Sequence, residues 1–214
     1  MVAEPLLALF DDQLRQHGVV RGGGWTMVFR PPADGDVEAL VAELRAHDGY
    51  REWKYYEHDG PELREQLLAL GLEPDDEETV LVAEAASIPP PAADVELRED
   101  RDAFTALVNE IFGDRGHGFP EHAVPVVAFV DGMPVSGGRV DLEPGVEFAG
   151  MFGGVTLPEF RGRGLYRATV ARRAELAREA GYRWLYVDAL PTSRPILQRV
   201  GFAKLTTTTP FVVR

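Results

Sequence analysis

The chain has 214 residues, 45% of them hydrophobic, which is enough to bury a core in one large domain or two small ones. Its 35 acidic residues against 22 basic ones give a formal net charge of −13, which works against non-specific binding to nucleic acid or an anionic membrane and suits a cationic substrate. Cysteine is absent, which excludes a disulfide framework, a thiol nucleophile and a cysteine-ligated metal.

The opening segment MVAEPLLALFDDQLRQHG carries early acids and an amphipathic pattern in place of a basic region followed by an apolar core. No apolar run reaches the ~20 residues that span a bilayer, so a cytoplasmic protein is expected. Helical spacing covers Pro5 to His17, and a strand follows Gly22-Gly23-Gly24, from Trp25 to Arg30. A helix from Val37 to His47, a strand from Glu52 to Glu57, a helix from Pro61 to Leu70 and a strand from Thr79 to Glu84 come next. Gly71 is placed to cap the third helix, and His58-Asp59, a dyad by composition but with no nucleophile in view, reads as the turn that leads into Pro61. These first 86 residues lack a glycine-rich loop at any strand-to-helix junction. They read as a structural or dimerising lobe, or as one wall of an acceptor pocket.

Ser87 to Asp94 (SIPPPAAD) is a linker, because three consecutive prolines stiffen an extended chain that continues neither strand nor helix. Beyond it, residues 95–214 give a strand (Val95 to Arg98), a helix (Asp102 to Phe112), a Gly/His-rich loop (Gly113 to His122) and strands at Val124 to Val130 and Val135 to Leu142 around an Asp131-Gly132 turn. A long strand follows over residues 146 to 157, then Arg161-Gly162-Arg163-Gly164-Leu165-Tyr166, then an amphipathic helix from Tyr166 to Ala180. Glycines between strand and helix let backbone N–H groups approach an anion, and the helix N-terminus adds partial positive charge to that of Arg161, Arg163 and Arg167. The spacing is neither a P-loop, which would end in Lys then Ser/Thr, nor a dinucleotide loop, which has a third glycine. Trp25, Trp53 and Trp184 fall on expected strands as core or lobe-interface anchors, and Thr206 to Val213 reads as a terminal strand.

This ordered set resembles the GNAT family of N-acetyltransferases, whose acyl-coenzyme A loop runs Arg or Gln, two residues, Gly, one residue, then Gly or Ala. Arg161, Gly164 and Tyr166 stand in those places, with Tyr166 where the family has a small residue that leaves room beside the pyrophosphate. Residues 146 to 157 are similar to the family's fourth strand and Arg183 to Asp188 to its fifth. Ser193 to Phe202 (SRPILQRVGF) is similar to the short helix that closes on a Gly-Phe pair, here Gly201-Phe202. The first 86 residues resemble the degenerate half found ahead of the active domain in some two-lobed members.

The resemblance implies an α/β fold with a mixed sheet and helices on both faces. It also implies acetyl-CoA as cosubstrate, an amine-bearing acceptor held between the lobes, and no metal. Backbone groups of Val155 and Leu157 would pair with the pantetheine amides as an added strand does, while Arg161, Gly162, Arg163, Gly164, Leu165, Tyr166 and Arg167 would hold the pyrophosphate. Members that carry a base place a glutamate seven residues before the threonine of a Val-Thr pair; here Val155-Thr156 puts Ala149 there. Glu147, two residues earlier and on the same face by strand alternation, is the expected proton acceptor, with His117 and His122 as alternatives and Glu110 as a surface charge. Counting four back from Gly201 gives Leu197 where many members have a tyrosine acid. Ser193 is the remaining candidate near the thiol, with helix capping as its other role, and Asp188 could orient the amine. The competing readings are an acyl-CoA-binding sensor without turnover and a scaffold that binds a partner.

Overall fold

The computed structural model describes residues 3–15, 18–22, 25–30, 36–91, 95–113 and 120–214. Compactness divides the chain into Met1–Val80 with Ala189–Pro191 and Lys204–Arg214, and Leu81–Asp188 with Thr192–Ala203. Residues 204–214 thus join the first unit and residues 81–86 the second, a division that order along the chain does not give.

The first unit contains α1 (Ala3–Leu14), β1 (Val19–Gly22), β2 (Trp25–Val28), α2 (Val37–Ala46), β3 (Tyr50–Tyr56), α3 (Pro61–Ala69) and β4 (Glu73–Pro74). It also holds the start of β5 (Glu78–Glu84) and nearly all of β11 (Ala203–Val212). Its strands run in the order β1-β2-β3-β11, with β4 also on β11. The β2–β3 pair is parallel, and β1–β2 and β3–β11 are antiparallel. Asp36 caps α2 by accepting from the Ala39 N–H at 3.2 Å. Pro61 opens α3, where its missing N–H costs nothing. Gly71 closes α3 at φ +76°, so that Leu72 N–H reaches the Leu67 carbonyl at 3.1 Å. Trp53, fully buried, packs with Val28, Val41, Leu44, Leu67 and Phe211.

The first helix is described over Ala3–Leu14, and residues 16–17 of the expected span to His17 lie outside the described residues; Arg15 turns inward and is 1% exposed. Its guanidinium donates to Phe29 O, Asp11 Oδ1 at 3.0 Å and Asp59 Oδ1 at 2.6 Å. His58, expected only to turn the chain, joins the same network: Nε2 lies 3.0 Å from Asp11 Oδ2 and Nδ1 3.1 Å from Thr206 Oγ1.

The second unit contains β6 (Glu96–Arg98), α4 (Arg101–Phe112), β7 (Ala123–Val130), β8 (Met133–Asp141), β9 (Phe148–Thr156), α5 (Leu165–Glu179), β10 (Trp184–Ala189, whose last residue falls to the first unit) and α6 (Arg194–Arg199). Strand order is β10-β9-β8-β7-β6, antiparallel except for the parallel β9–β10 pair, so the sheet is mixed as expected. Asp131 (φ 51°) and Gly132 (φ 77°) form the two-residue β7–β8 turn, a conformation that favours Asp-Gly.

Adjacent glycines of β8 fix which helix covers which face. A side chain at Gly137 would meet Phe104 and Leu107 of α4, and one at Gly138 would strike the guanidinium of Arg173 on α5. Successive strand residues point to opposite faces, so the sheet lies between α4 and α5. The β8–β9 register shifts between Gly137 and Arg139, opposite Gly153 at φ +62°.

Candidate functional site

The loop between β9 and α5 is marked by what it lacks. After Thr156, Leu157 N–H donates to Val135 O at 2.9 Å, and a single 3₁₀ turn (Pro158–Phe160) folds the chain back. Gly162 and Gly164 take φ +77° and +80°, and Gly164 is the N-cap of α5. The first N–H groups of a helix have no acceptor within it, and a glycine cap has no side-chain oxygen to supply one. Leu165, Tyr166 and Arg167 therefore present their N–H groups at the helix mouth. Arg161, Arg163 and Arg167 stand exposed around it. Among the described residues, none of the three has a carboxylate within ion-pair distance; Arg161 Nε and Arg163 Nη2 reach only the carbonyls of Thr156 and Glu159, both at 3.3 Å. A cleft of about 250 Å³ opens beside them, walled by Pro89, Pro90, Pro91, Val170 and Val200.

Tyr166 was expected to crowd this mouth. Its ring instead lies on β9, where a side chain at Gly154 would come within 2.8 Å of it. Gly154 is therefore the small residue that makes room for the large one.

The expected pairing edge of β9 shifts by one residue. Leu157 N–H is spent on Val135, its carbonyl accepts from Phe160 N–H at 2.9 Å, and hydrogen-bonded pairs recur every second residue in an antiparallel ladder. Val155, opposite Gly137, therefore also turns its backbone toward β8. The backbone edge facing away from β8 belongs to Thr156, whose carbonyl Arg161 reaches from that side. The side chains of Val155, Leu157 and Leu165 are core.

That edge is open because β9 and β10 part. Their ladder joins Phe148–Gly150 to Trp184–Tyr186, whereas β9 runs on to Thr156 and β10 to Ala189. At the closed end of this fork, Asp141 of β8, Gly150 of β9 and Tyr186 of β10 lie side by side in register. The rings of Phe152 and Tyr186 meet edge to face at 5.5 Å over the bare Gly150. Arg139 lies 5.3 Å over the Phe152 ring and donates from Nε to Asp141 Oδ1 at 2.9 Å. Burial raises the Asp141 pKa above the ordinary carboxylate value, and the nearby Arg139 and His122 offset this only in part.

The residues expected to move protons are placed differently. Glu147 lies in the bend before β9, which begins at Phe148, so strand alternation does not put it on a face with Ala149. Its carbonyl accepts from Arg183 and Trp184 N–H. Ala149 is fully buried. His117 lies outside the described residues, and His122 pairs with Glu143 at 3.0 Å. Glu110 is exposed on α4. Ser193 occupies the N-cap position of α6 but makes no side-chain capping bond, contrary to its expected capping role. Leu197 is core at 1% exposure, and Asp188 lies on β10. Sequence reasoning missed Asp141; a carboxylate two residues after an arginine on a strand was the available signal.

No family model matches the sequence, and no curated protein does. Among solved structures the chain is similar to a GCN5-related N-acetyltransferase from Kribbella flavida, at 18% identity and a TM-score of 0.69, over 99% of this chain and 95% of that one. It is similar to a GCN5-related N-acetyltransferase from Sphaerobacter thermophilus at 14% identity and a TM-score of 0.61, over 91% and 75% of the two chains. A tandem GNAT protein from the clavulanic acid biosynthesis pathway matches at 18% identity and a TM-score of 0.58, over 90% and 75%. The fold is that of the GCN5-related N-acetyltransferases.

Proposed function

We propose that this protein is an N-acetyltransferase that moves an acetyl group from acetyl-CoA to a primary amine. The observation that carries the reading is the glycine-capped start of α5, ringed by three arginines without carboxylate partners among the described residues, at the open end of the β9–β10 fork. The pyrophosphate takes the N–H groups of Leu165, Tyr166 and Arg167 and the charges of Arg161, Arg163 and Arg167. The pantetheine arm then runs down the fork and pairs with the backbone of Thr156, displacing Arg161 from its carbonyl. The amine attacks the thioester directly, since the chain has no cysteine to carry the acyl group.

The fold of the first 86 residues, which lack such a loop, is read as a degenerate half, and the tandem protein among the structural neighbours supports that reading. One coenzyme therefore binds per chain, in the half that begins at Val95, and the protein works in the cytoplasm. A second reading, an acyl-CoA-binding sensor without turnover, is favoured by the buried Leu197 where the resemblance calls for a proton donor. Thermal unfolding with acetyl-CoA, followed by release of coenzyme A in the presence of primary amines, separates the two. Stabilisation with release supports the transferase; stabilisation alone supports the sensor; neither rejects both.

A further inference from the structure

We infer that Asp141 is the catalytic carboxylate that takes the proton from the attacking amine, an assignment that rests on the acetyltransferase reading above. Whatever enters along the open edge of β9 from Thr156 is stopped where β9 rejoins β10, at Gly150 and Tyr186. The reacting end of a thioester lying there meets the row that crosses the sheet at that level. Asp141 supplies the carboxylate of that row, directly cross-strand from Gly150. Gly150 has no side chain of its own, and the space where one would stand is filled by the rings of Phe152 and Tyr186, an aromatic floor on the same row as Asp141. An ammonium is recognised by a carboxylate together with aromatic faces, so the same groups that bind it stand ready to deprotonate it.

The carboxylate is held in place and half free. Arg139 Nε fixes Oδ1 at 2.9 Å, while Oδ2 accepts no hydrogen bond among the described residues. Its side chain is 12% exposed, which shields it from bulk water without sealing it. Burial lifts its pKa toward the range a base needs. The charges that face it are Arg139 from its own strand, and His122 and Glu143 from the chain flanking β7 and β8. Asp188 stands two residues beyond Tyr186 on β10 and so shares the face by alternation.

The step balances as follows. Oδ2 takes one proton from the ammonium, freeing the nitrogen lone pair. That pair forms the N–C bond to the thioester carbon, and the C–S bond breaks with its electrons on sulfur. The second nitrogen proton goes to the thiolate, and Asp141 returns its own proton to solvent.

The test uses the full chain, acetyl-CoA and a set of primary amines (tyramine, spermidine, glucosamine and glycinamide), with coenzyme A release measured from pH 5 to 10. Asp141→Asn keeps the shape and removes the base, so kcat/KM for the amine is expected to fall by about 100-fold or more at pH 7. The KM for acetyl-CoA is expected to stay within about twofold, and the defect to shrink as pH rises and the amine loses its proton in solution. Arg139→Met, which removes the cation that opposes protonation, is expected to move the acidic limb of the wild-type profile to higher pH. That second variant keeps the test valid if Asp141→Asn folds poorly. Wild-type release by folded Asp141→Asn across the range, an acidic limb unmoved in Arg139→Met, or a limb abolished only by Asp188→Asn would each overturn the assignment while leaving the transferase reading intact. No release by the wild type, with acetyl-CoA still bound, would overturn that reading and this assignment with it.

Discussion

Among the described residues each compact unit buries one arginine to 1% exposure, and the two are treated in opposite ways. In the first unit Arg15 meets two carboxylates, Asp11 and Asp59, covers the Tyr56 ring at 4.1 Å, and donates twice to Phe29 O. Burial opposes its charge, but Asp59 and Asp11 outweigh this and raise its pKa. In the second unit Arg173 donates to neutral carbonyls, Thr169 O at 3.0 Å and Arg139 O at 3.2 Å, and its Nη2 has no partner among the described residues. There burial wins, against a smaller upward pull from Tyr166, and its pKa is lowered. The exposed arginines of the α5 loop likewise lack carboxylates among the described residues. The first unit holds its buried cation with carboxylates, whereas the second buries one on neutral partners and leaves the three arginines of the α5 loop exposed.

Four measurements break or sharpen that contrast. The largest effect is expected from Arg15→Met, which strands Asp11 and Asp59 as buried carboxylates and should cost about 3–5 kcal/mol in chemical denaturation. Loss below about 1 kcal/mol would show that the network does not fasten the unit. Next is Gly164→Glu, which forces a side chain onto φ +80° and sets an anion at the helix mouth. Calorimetry should show acetyl-CoA affinity down by about 100-fold, roughly 2.7 kcal/mol. Arg173→Met should leave stability within about 1 kcal/mol of wild type, since the lost hydrogen bonds are offset by removing an unpaired buried donor.

The smallest effect is in pH. The Asp11 carboxyl, despite burial, is held below its ordinary 3.8 by His58 and Arg15, so its stabilisation is present above that value and fades as pH falls through the lower folded one. Asp141 is shifted the other way, so its contribution is present below 3.8 and fades as pH rises through its raised folded value. Denaturation of Asp11→Asn and Asp141→Asn against pH should therefore change the slope in opposite senses. Like-signed changes would dissolve the contrast.

The order of elements and the α5 loop were legible because they rest on local signals: proline at Pro61, Asp131-Gly132, and glycines between strand and helix. What failed was phase. Phe152 and Gly153, adjacent in sequence, both look toward Arg139, so a count by twos across them slips by one. That slip hides the difference between Ala149, which is core, and Gly150, which lies on the row with Asp141. The Arg15 network was hidden for another reason. Only Asp11 and Arg15 are helical neighbours at four-residue spacing; His58, Asp59 and Thr206 are brought in by strands far along the chain.

The place of β11 bears on how the protein is made. Strand β3 emerges from the ribosome early, but its antiparallel neighbour over Thr208–Val212 is translated only after the whole of residues 81–203. The first unit thus begins first and finishes after the second, and during that interval β3 exposes an unpaired edge that a neighbouring nascent chain can take. Slower synthesis across residues 81–203 lengthens the time that this edge stays open to a neighbouring chain.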